Sequence, residues 1–385
     1  MHTRLSGERD RPPRTKGRAD ALDRLDGMPT LDLSLSAADI TRAICDIPSV
    51  SDDERMLADA IEAAIRPLPH LEVHRDGDTI VARTALGRAQ RVVIAGHIDT
   101  VPLNGNLPTR DIEIDGEPFI WGRGTVDMKA GTAVQLKLAA ELSDPVVDIT
   151  WIWYDHEEVE ASRSGLTRLA ATRPDLFEGD FAILGEPSNG QVEGGCNGTL
   201  RAVVRTHGRR SHSARAWMGV NAIHAAAPVL ARLAAYEPQE IVVDGLAYRE
   251  GLNAVRVSGG VAGNVIPDLC EVEVNFRFAP SRSGAEAADH VREVFDGFEV
   301  EVTDLAQGAR PGLDSPIAQD FVRAVGAVPQ PKYGWTDVAR FSALGVPAVN
   351  YGPGDPSLAH HDEERVAVAQ IESCERSLRA WLTAG

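Results

Sequence analysis

Val92-Val93-Ile94-Ala95-Gly96-His97-Ile98-Asp99-Thr100-Val101-Pro102 is an apolar run that closes on a His-x-Asp pair and breaks at a proline. Its length and β-branched content predict a buried central strand, with polar residues beginning where it stops. His97 then stands at a strand's carboxyl end, where open α/β sheets carry their ligands. Residues two apart on an extended chain face the same way, so Asp99 can reach the ring from the same side. A carboxylate on the second ring nitrogen fixes the tautomer of a metal-binding histidine and raises its basicity. Taken alone, the pair fits a structural histidine bonded to its own loop better than a metal ligand.

Two more predicted strands end the same way. Val146 to Tyr154 runs into Asp155-His156-Glu157-Glu158, and Asp180 to Leu184 runs into Gly185-Glu186-Pro187-Ser188. Adjacent glutamates at a strand end point to opposite sides, so one can bind a metal while the other faces a water. Between them lies Trp121-Gly122-Arg123-Gly124-Thr125-Val126-Asp127-Met128-Lys129-Ala130-Gly131, a glycine-rich turn opening a helix from Thr132 to Leu142. It lacks the Gly-x-x-x-x-Gly-Lys-Ser/Thr order of a phosphate loop. An acidic residue in a constrained turn suits a cation, which makes Asp127 a candidate ligand; a helix-capping aspartate is the plain alternative. Three buried strands ending in acid or histidine together favour a metal centre.

The chain has 385 residues, of which 43% are hydrophobic, enough for two domains. No apolar run approaches the ~20 residues of a membrane span, so no membrane partner is expected. The net charge of -18 argues against a nucleic-acid surface. It leaves room for an anionic small-molecule substrate, because a few local arginines can reverse the sign inside one cleft. Cys45, Cys196, Cys270 and Cys374 are scattered, without metal-knuckle spacing, and point to a reducing cytoplasm. Residues 1–30 read as a solvated, mobile extension, with Met28 an alternative start.

In chain order, helices at Ala37 to Ile47 and Glu54 to Ile65 precede strands at Leu71 to His74 and Thr79 to Arg83, and the alternation reads as α/β with a mixed sheet. From Gly194 the pattern changes. Strands at Thr199 to His207, Asn253 to Val261 and Leu269 to Phe278 accompany helices at Val220 to Ala235 and Ala285 to Phe295. That series suits a separate α+β module with an antiparallel sheet and helices on one face. Asp304 to Leu313 leads back to helix, Ala348 to Tyr351 resembles another buried strand, and Ala367 to Leu382 is the last helix. The expected organisation is a catalytic domain in two parts, 31–195 and 306–385, with a smaller domain, 196–305, inserted between them.

In order, Gly96-His97-Ile98-Asp99-Thr100-Val101-Pro102, Gly122-Arg123-Gly124 with Asp127-Met128-Lys129, Glu157-Glu158, Gly185-Glu186-Pro187-Ser188 and a late His360 resemble the co-catalytic metallopeptidase family of aminoacylases, carboxypeptidase G-like enzymes and desuccinylases. Glu193 to Thr199 and Gly263 to Pro267 are most similar to the desuccinylase branch in actinobacteria. The resemblance implies a zinc-peptidase-like mixed-sheet domain and a ferredoxin-like dimerisation or lid domain. It makes His97 and Glu186 ligands of one zinc, Glu158 and His360 ligands of the other, Asp127 the bridging carboxylate and Glu157 the general base beside Asp99. Two divalent ions, zinc with cobalt or manganese as substitutes, are the implied cofactor, which agrees with a donor set of imidazole and carboxylate.

The resemblance also implies a homodimer in which His212 enters the neighbouring subunit's cleft, and a pocket lined by Arg277, Asn264 and Thr336. The implied reaction is hydrolysis of N-succinyl-LL-2,6-diaminopimelate. Deacylation of an N-acyl amino acid such as acetylornithine, or dipeptide cleavage, is the alternative, and a binding protein that kept the fold is the non-enzymatic one. Four positions depart from the pattern. His156 stands where relatives often carry aspartate and reads as a packed ring rather than an extra ligand; Cys196 and Asn197 stand where Gram-negative desuccinylases carry arginine; His361 beside His360 is a second possible ligand.

Overall fold

A computed structural model describes residues 24–25 and 28–384. Most of the expected 1–30 extension lies outside them.

Among the described residues the main sheet has eight strands, ordered Gln330–Pro331, Glu193–Gly194, Ala348–Asn350, Phe181–Leu184, Arg91–His97, Asp148–Tyr154, Thr79–Arg83 and Glu72–Asp76. Arg91–His97 lies in the middle, parallel to both Asp148–Tyr154 and Phe181–Leu184, while Thr79–Arg83 runs antiparallel to Asp148–Tyr154. The sheet is therefore mixed. Every residue of Asp148–Tyr154 and Phe181–Leu184 is buried, as the unbroken apolar runs require of strands covered on both faces. The parallel arrangement brings the carboxyl ends of three central strands to one edge, and with them His97, Glu157, Glu158 and Glu186.

The helix Lys129–Glu141 packs behind that edge and starts three residues before the predicted Thr132. Gly131 is obligatory there, because a Cβ at this position would sit 2.0 Å from the Gly185 carbonyl oxygen. The fully buried Lys129 donates through Nζ to the carbonyls of Ile44 and Ile47, both at 3.1 Å, at the end of the helix Ala37–Cys45. A buried ammonium thus satisfies carbonyls that the helix itself leaves unpaired.

A second sheet of four antiparallel strands, ordered Gly251–Gly259, Leu269–Phe278, Gly198–His207 and Glu299–Ala306, is built from the middle of the chain. Leu200, Ala202, Val204, Val272, Val274 and Phe276 face one side and pack with Val229 and Val291 from the helices. The opposite face is polar, as strict alternation dictates. This is the inserted α+β unit on a mixed-sheet body. The single helix predicted over Val220 to Ala235 is instead two, Ala222–Ala225 and Ala227–Ala234, with Pro228 in the first turn of the second. Proline has no N–H to continue the first helix and is well placed at the start of the next.

Three further sheets were not foreseen, the smallest being the antiparallel pair Arg24–Leu25 with Met28–Pro29. Glu240–Val243 pairs with Leu246–Arg249 as a hairpin, whose buried Tyr248 hydroxyl donates to the Gly194 carbonyl at 2.6 Å. Arg110–Ile114, Glu117–Trp121 and Arg365–Ala367 form a three-stranded sheet. Its register sets Trp121 opposite Arg365, which carries the C-terminal segment to the glycine-rich turn. Among the described residues no helix is long and apolar enough to cross a membrane.

Candidate metal centre

His97 is buried at the end of the central strand, with Nε2 3.1 Å from Oδ1 of Asp127. Its Nδ1 meets the main-chain carbonyl of Asp99 at 3.0 Å, while the Asp99 carboxylate is farther, at 3.5 Å. The expected aspartate partner is thus present, but it acts on the ring mainly through its backbone. The carboxylate is occupied elsewhere. It accepts the N–H of Glu157 at 3.0 Å, the N–H of Glu158 at 3.1 Å and the Ser51 hydroxyl at 2.7 Å. Burial pushes the Asp99 carboxyl up, yet these bonds and His97 hold it below the usual range.

Asp127 lies between two histidines. Its Oδ1 faces His97 and its Oδ2 is 3.4 Å from Nε2 of His360. The same His360 nitrogen lies 2.9 Å from Oε2 of Glu158. His361 lines neither this pocket nor the adjoining one, and its main-chain carbonyl accepts from Arg123 at 3.4 Å. One donor atom from each of His97, Asp127 and Glu158 falls within 4.8 Å of the others. Glu186 lines the same pocket without joining that tight group.

The turn carrying Asp127 is held by Glu364, a buried residue not identified from the sequence. Its Oε1 accepts the N–H groups of Val126 at 2.9 Å and Asp127 at 3.1 Å, and its Oε2 pairs with Arg123 at 2.9 Å. Nothing in the local sequence distinguishes Glu364 from its neighbours Asp362 and Glu363; the long-range strand pairing selects it. Lys332, likewise missed, bonds the Pro187 carbonyl at 3.1 Å and Glu193 at 2.7 Å, steadying the loop after Glu186.

Glu157 is half-buried in the pocket wall, and its desolvation together with Asp337, Glu186 and Glu158 pushes its carboxyl well above the ordinary range. Glu186 is pushed up to about 8 by burial and by Asp127. Asp127, Glu157, Glu158 and Glu186 gather here with the imidazoles of His97 and His360, and the one lysine of the pocket lining among the described residues, Lys332, is paired with Glu193. Such a set is poorly compatible with itself unless cations neutralise it, and its oxygen and nitrogen donors suit divalent zinc, cobalt or manganese.

His156 turns away from this centre. Its Nδ1 lies 2.7 Å from Asp155 and its Nε2 3.2 Å from Asp52, so it is a packed ring within an acidic network. Thr336 is buried in the pocket, donating to Asn350 Oδ1 at 3.0 Å. Arg277 lines an adjoining lobe that shares Glu157, Glu158 and Trp335 with the metal pocket. His212 and Asn264 line neither lobe: they lie together on the smaller unit, where the Asn264 carbonyl accepts the Ser213 N–H at 2.9 Å. The sequence reading put Asn264 in one pocket with Arg277; within a single chain the fold separates them, because Asn264 sits in the turn after the edge strand rather than at the sheet's cleft end.

Residues 93–384 match the family described as Peptidase family M20/M25/M40. Over 355 residues the chain is 52% identical to the putative succinyl-diaminopimelate desuccinylase DapE of Mycobacterium tuberculosis H37Rv, covering 91% of this chain and 99% of that one. It is 46% identical over 366 residues to the succinyl-diaminopimelate desuccinylase of Corynebacterium glutamicum, covering 92% and 98%. Among solved structures, a tripeptidase from Staphylococcus aureus superimposes with a TM-score of 0.73 at 20% identity, over 91% of this chain and 98% of that one. A dinuclear metal binding peptidase of Bacillus subtilis gives 0.67 at 16% identity, over 90% and 96%. At these identities the two structures speak to the fold alone.

Proposed function

The chain belongs to peptidase family M20/M25/M40 and is a metal-dependent hydrolase; from that premise we propose that it converts N-succinyl-LL-2,6-diaminopimelate to succinate and LL-2,6-diaminopimelate, serving lysine and peptidoglycan synthesis. The observation that carries this reading is the 52% identity maintained over 99% of the mycobacterial relative.

We infer two zinc ions, with cobalt or manganese as substitutes. His97 and Glu186 would hold one, Glu158 and His360 the other, and Asp127 would span both. When bound, such a pair lowers the pKa of a shared water and polarises the scissile carbonyl. Glu157 takes the proton of the attacking water on a carboxylate oxygen and passes it to the departing amine nitrogen. Asp99, by binding the N–H groups of Glu157 and Glu158, fixes where those carboxylates stand. Arg277 offers a planar fork to a substrate carboxylate, and Thr336 lines the same cleft.

We further propose a homodimer in which residues 196–305 form the contact and lid domain against a body of 31–195 and 306–385. Support comes from Trp217, Met218, Val255 and Val257, which are 79%, 55%, 62% and 50% exposed on that unit, the last two on an edge strand. In such a dimer His212 and Asn264 enter the neighbouring cleft. There His212 would steady the developing oxyanion, a contribution of ~3–4 kcal/mol for one well-placed donor. A cytoplasmic setting fits four buried free cysteines.

Steady-state assays on N-succinyl-LL-2,6-diaminopimelate, N-acetylornithine and dipeptides test the substrate. A preference of at least about 100-fold in kcat/KM for the succinylated compound is expected. Preference for acetylornithine or a dipeptide would overturn it.

A further inference from the structure

The polar face of the four-stranded sheet ends at the cleft. There Thr199 pairs across the strands with Arg277, and Arg201 pairs with Asp304 at the point where a bulge shifts the register. All four side chains line the outer lobe of the cleft together with Glu157 and Glu158. Among the described residues, the guanidinium of Arg201, the guanidinium of Arg277 and the carboxylate of Asp304 take part in no ion pair, hydrogen bond or ring contact. Elsewhere on the same face the charges neutralise one another, as Arg205 does with Glu271, Glu299 and Glu301.

Two cations and one anion are thus left without partners at a single cleft wall. Burial and the nearby Arg201 both press the Arg277 pKa below its usual value, with Asp304 within electrostatic reach. Holding like charges side by side in a partly dry cleft is unfavourable unless a ligand supplies the missing counter-charges. Arg277 accounts for one carboxylate. The remaining pair, a guanidinium beside a carboxylate, is the complement of a zwitterion. A simple dicarboxylate tail would meet Asp304 and Glu160 as like charges, whereas an α-amino acid end offers an ammonium to the acid and a carboxylate to the arginine.

We propose that Arg201 and Asp304 form a subsite for the distal α-amino acid end of the substrate, Arg201 taking its carboxylate and Asp304 its ammonium. The inference rests on the desuccinylase reading and deepens it. A diaminopimelate moiety carries such an end, and ornithine or an ordinary dipeptide side chain does not. The lobe next to the metal pocket is also the larger of the two, about 830 Å³ against 430 Å³, as the longer half of the substrate requires.

Three substrates separate the charges: N-succinyl-LL-2,6-diaminopimelate, N-succinyl-L-2-aminopimelate, which keeps only the distal carboxylate, and N-succinyl-L-norleucine, which has neither group. For Arg201→Ala, the ratio of kcat/KM on the first compound to that on the third should fall at least about 10-fold, as should the ratio of the second to the third, with partial recovery in Arg201→Lys. For Asp304→Asn, only the first ratio should fall. Equal loss on all three substrates, or a loss that follows the acyl group when succinyl is exchanged for acetyl, would overturn the subsite. A wild-type enzyme inactive on every succinylated compound but active on the N-acetyl counterparts would instead sink the desuccinylase reading. The same ratios measured on the N-acetyl series would then still decide the subsite.

Discussion

The carboxylate of Asp99 receives the main-chain N–H of Glu157 at 3.0 Å, from the far side of the residue that lines the cleft. With the N–H of Glu158 on its other oxygen, one buried side chain fixes the backbone of both glutamates. Asp99→Ala therefore leaves two amides without acceptors and frees the loop. We expect kcat to fall at least about 100-fold, more than a single lost hydrogen bond would account for. Asp99→Asn, which keeps one acceptor oxygen, should recover part of it. Equal kcat in the wild type and Asp99→Ala would refute the positioning role.

Glu157 is the one acid of the pocket assigned to proton transfer rather than metal binding. Glu157→Gln should lower kcat by at least about 1000-fold, a few kcal/mol of transition-state stabilisation, with metal content retained. Inductively coupled plasma analysis of the same preparation checks the second half. Metal lost together with activity would reassign the residue as a ligand.

Mixing subunits addresses the assembly. His212→Ala and Glu157→Ala homodimers should each be nearly inactive, and a mixture allowed to exchange should regain up to about a quarter of wild-type activity through one intact composite site. No recovery in a mixture shown to exchange subunits would place His212 outside the partner's cleft.

Glu364 is a stability residue with a catalytic consequence. Glu364→Ala strands the buried Arg123 guanidinium and two amides, and should cost about 3–5 kcal/mol in denaturant unfolding. Because Asp127 rides on the same turn, metal affinity should drop in parallel. A variant as stable as wild type would show that the turn holds itself.

Asp148 supplies the pH test away from the metal centre. It accepts the N–H groups of Leu86 and Arg88 and the Thr84 hydroxyl, at 2.8, 2.9 and 2.9 Å, and these bonds outweigh burial to hold its carboxyl below the ordinary carboxylate range. A folded pKa below the unfolded one stabilises the protein above the unfolded value, and that stability is lost as pH falls through the folded one. Unfolding free energy should therefore decline below about pH 4, and Asp148→Asn should show a shallower decline across that window. Parallel pH profiles would remove Asp148 from the account.

The local parts of the fold were legible in the residues alone. Unbroken apolar runs made Arg91–His97, Asp148–Tyr154 and Phe181–Leu184 legible as buried strands, and period-two alternation marked Gly198–His207 and Leu269–Phe278 as one-faced. The residues at their ends followed. The contacts between distant segments emerged only from the folded chain. Arg110–Ile114 carries charges at three of its five positions and gives no clear strand signal until Glu117–Trp121 and Arg365–Ala367 pair beside it. Glu364 was one acid among several until that pairing set it under Asp127. Arg201 and Asp304 are 103 positions apart and become neighbours through a bulged register. Periodicity records which way a side chain faces its own element; it carries nothing about which distant chain arrives opposite, since that depends on burial and hydrogen bonding summed over the whole fold.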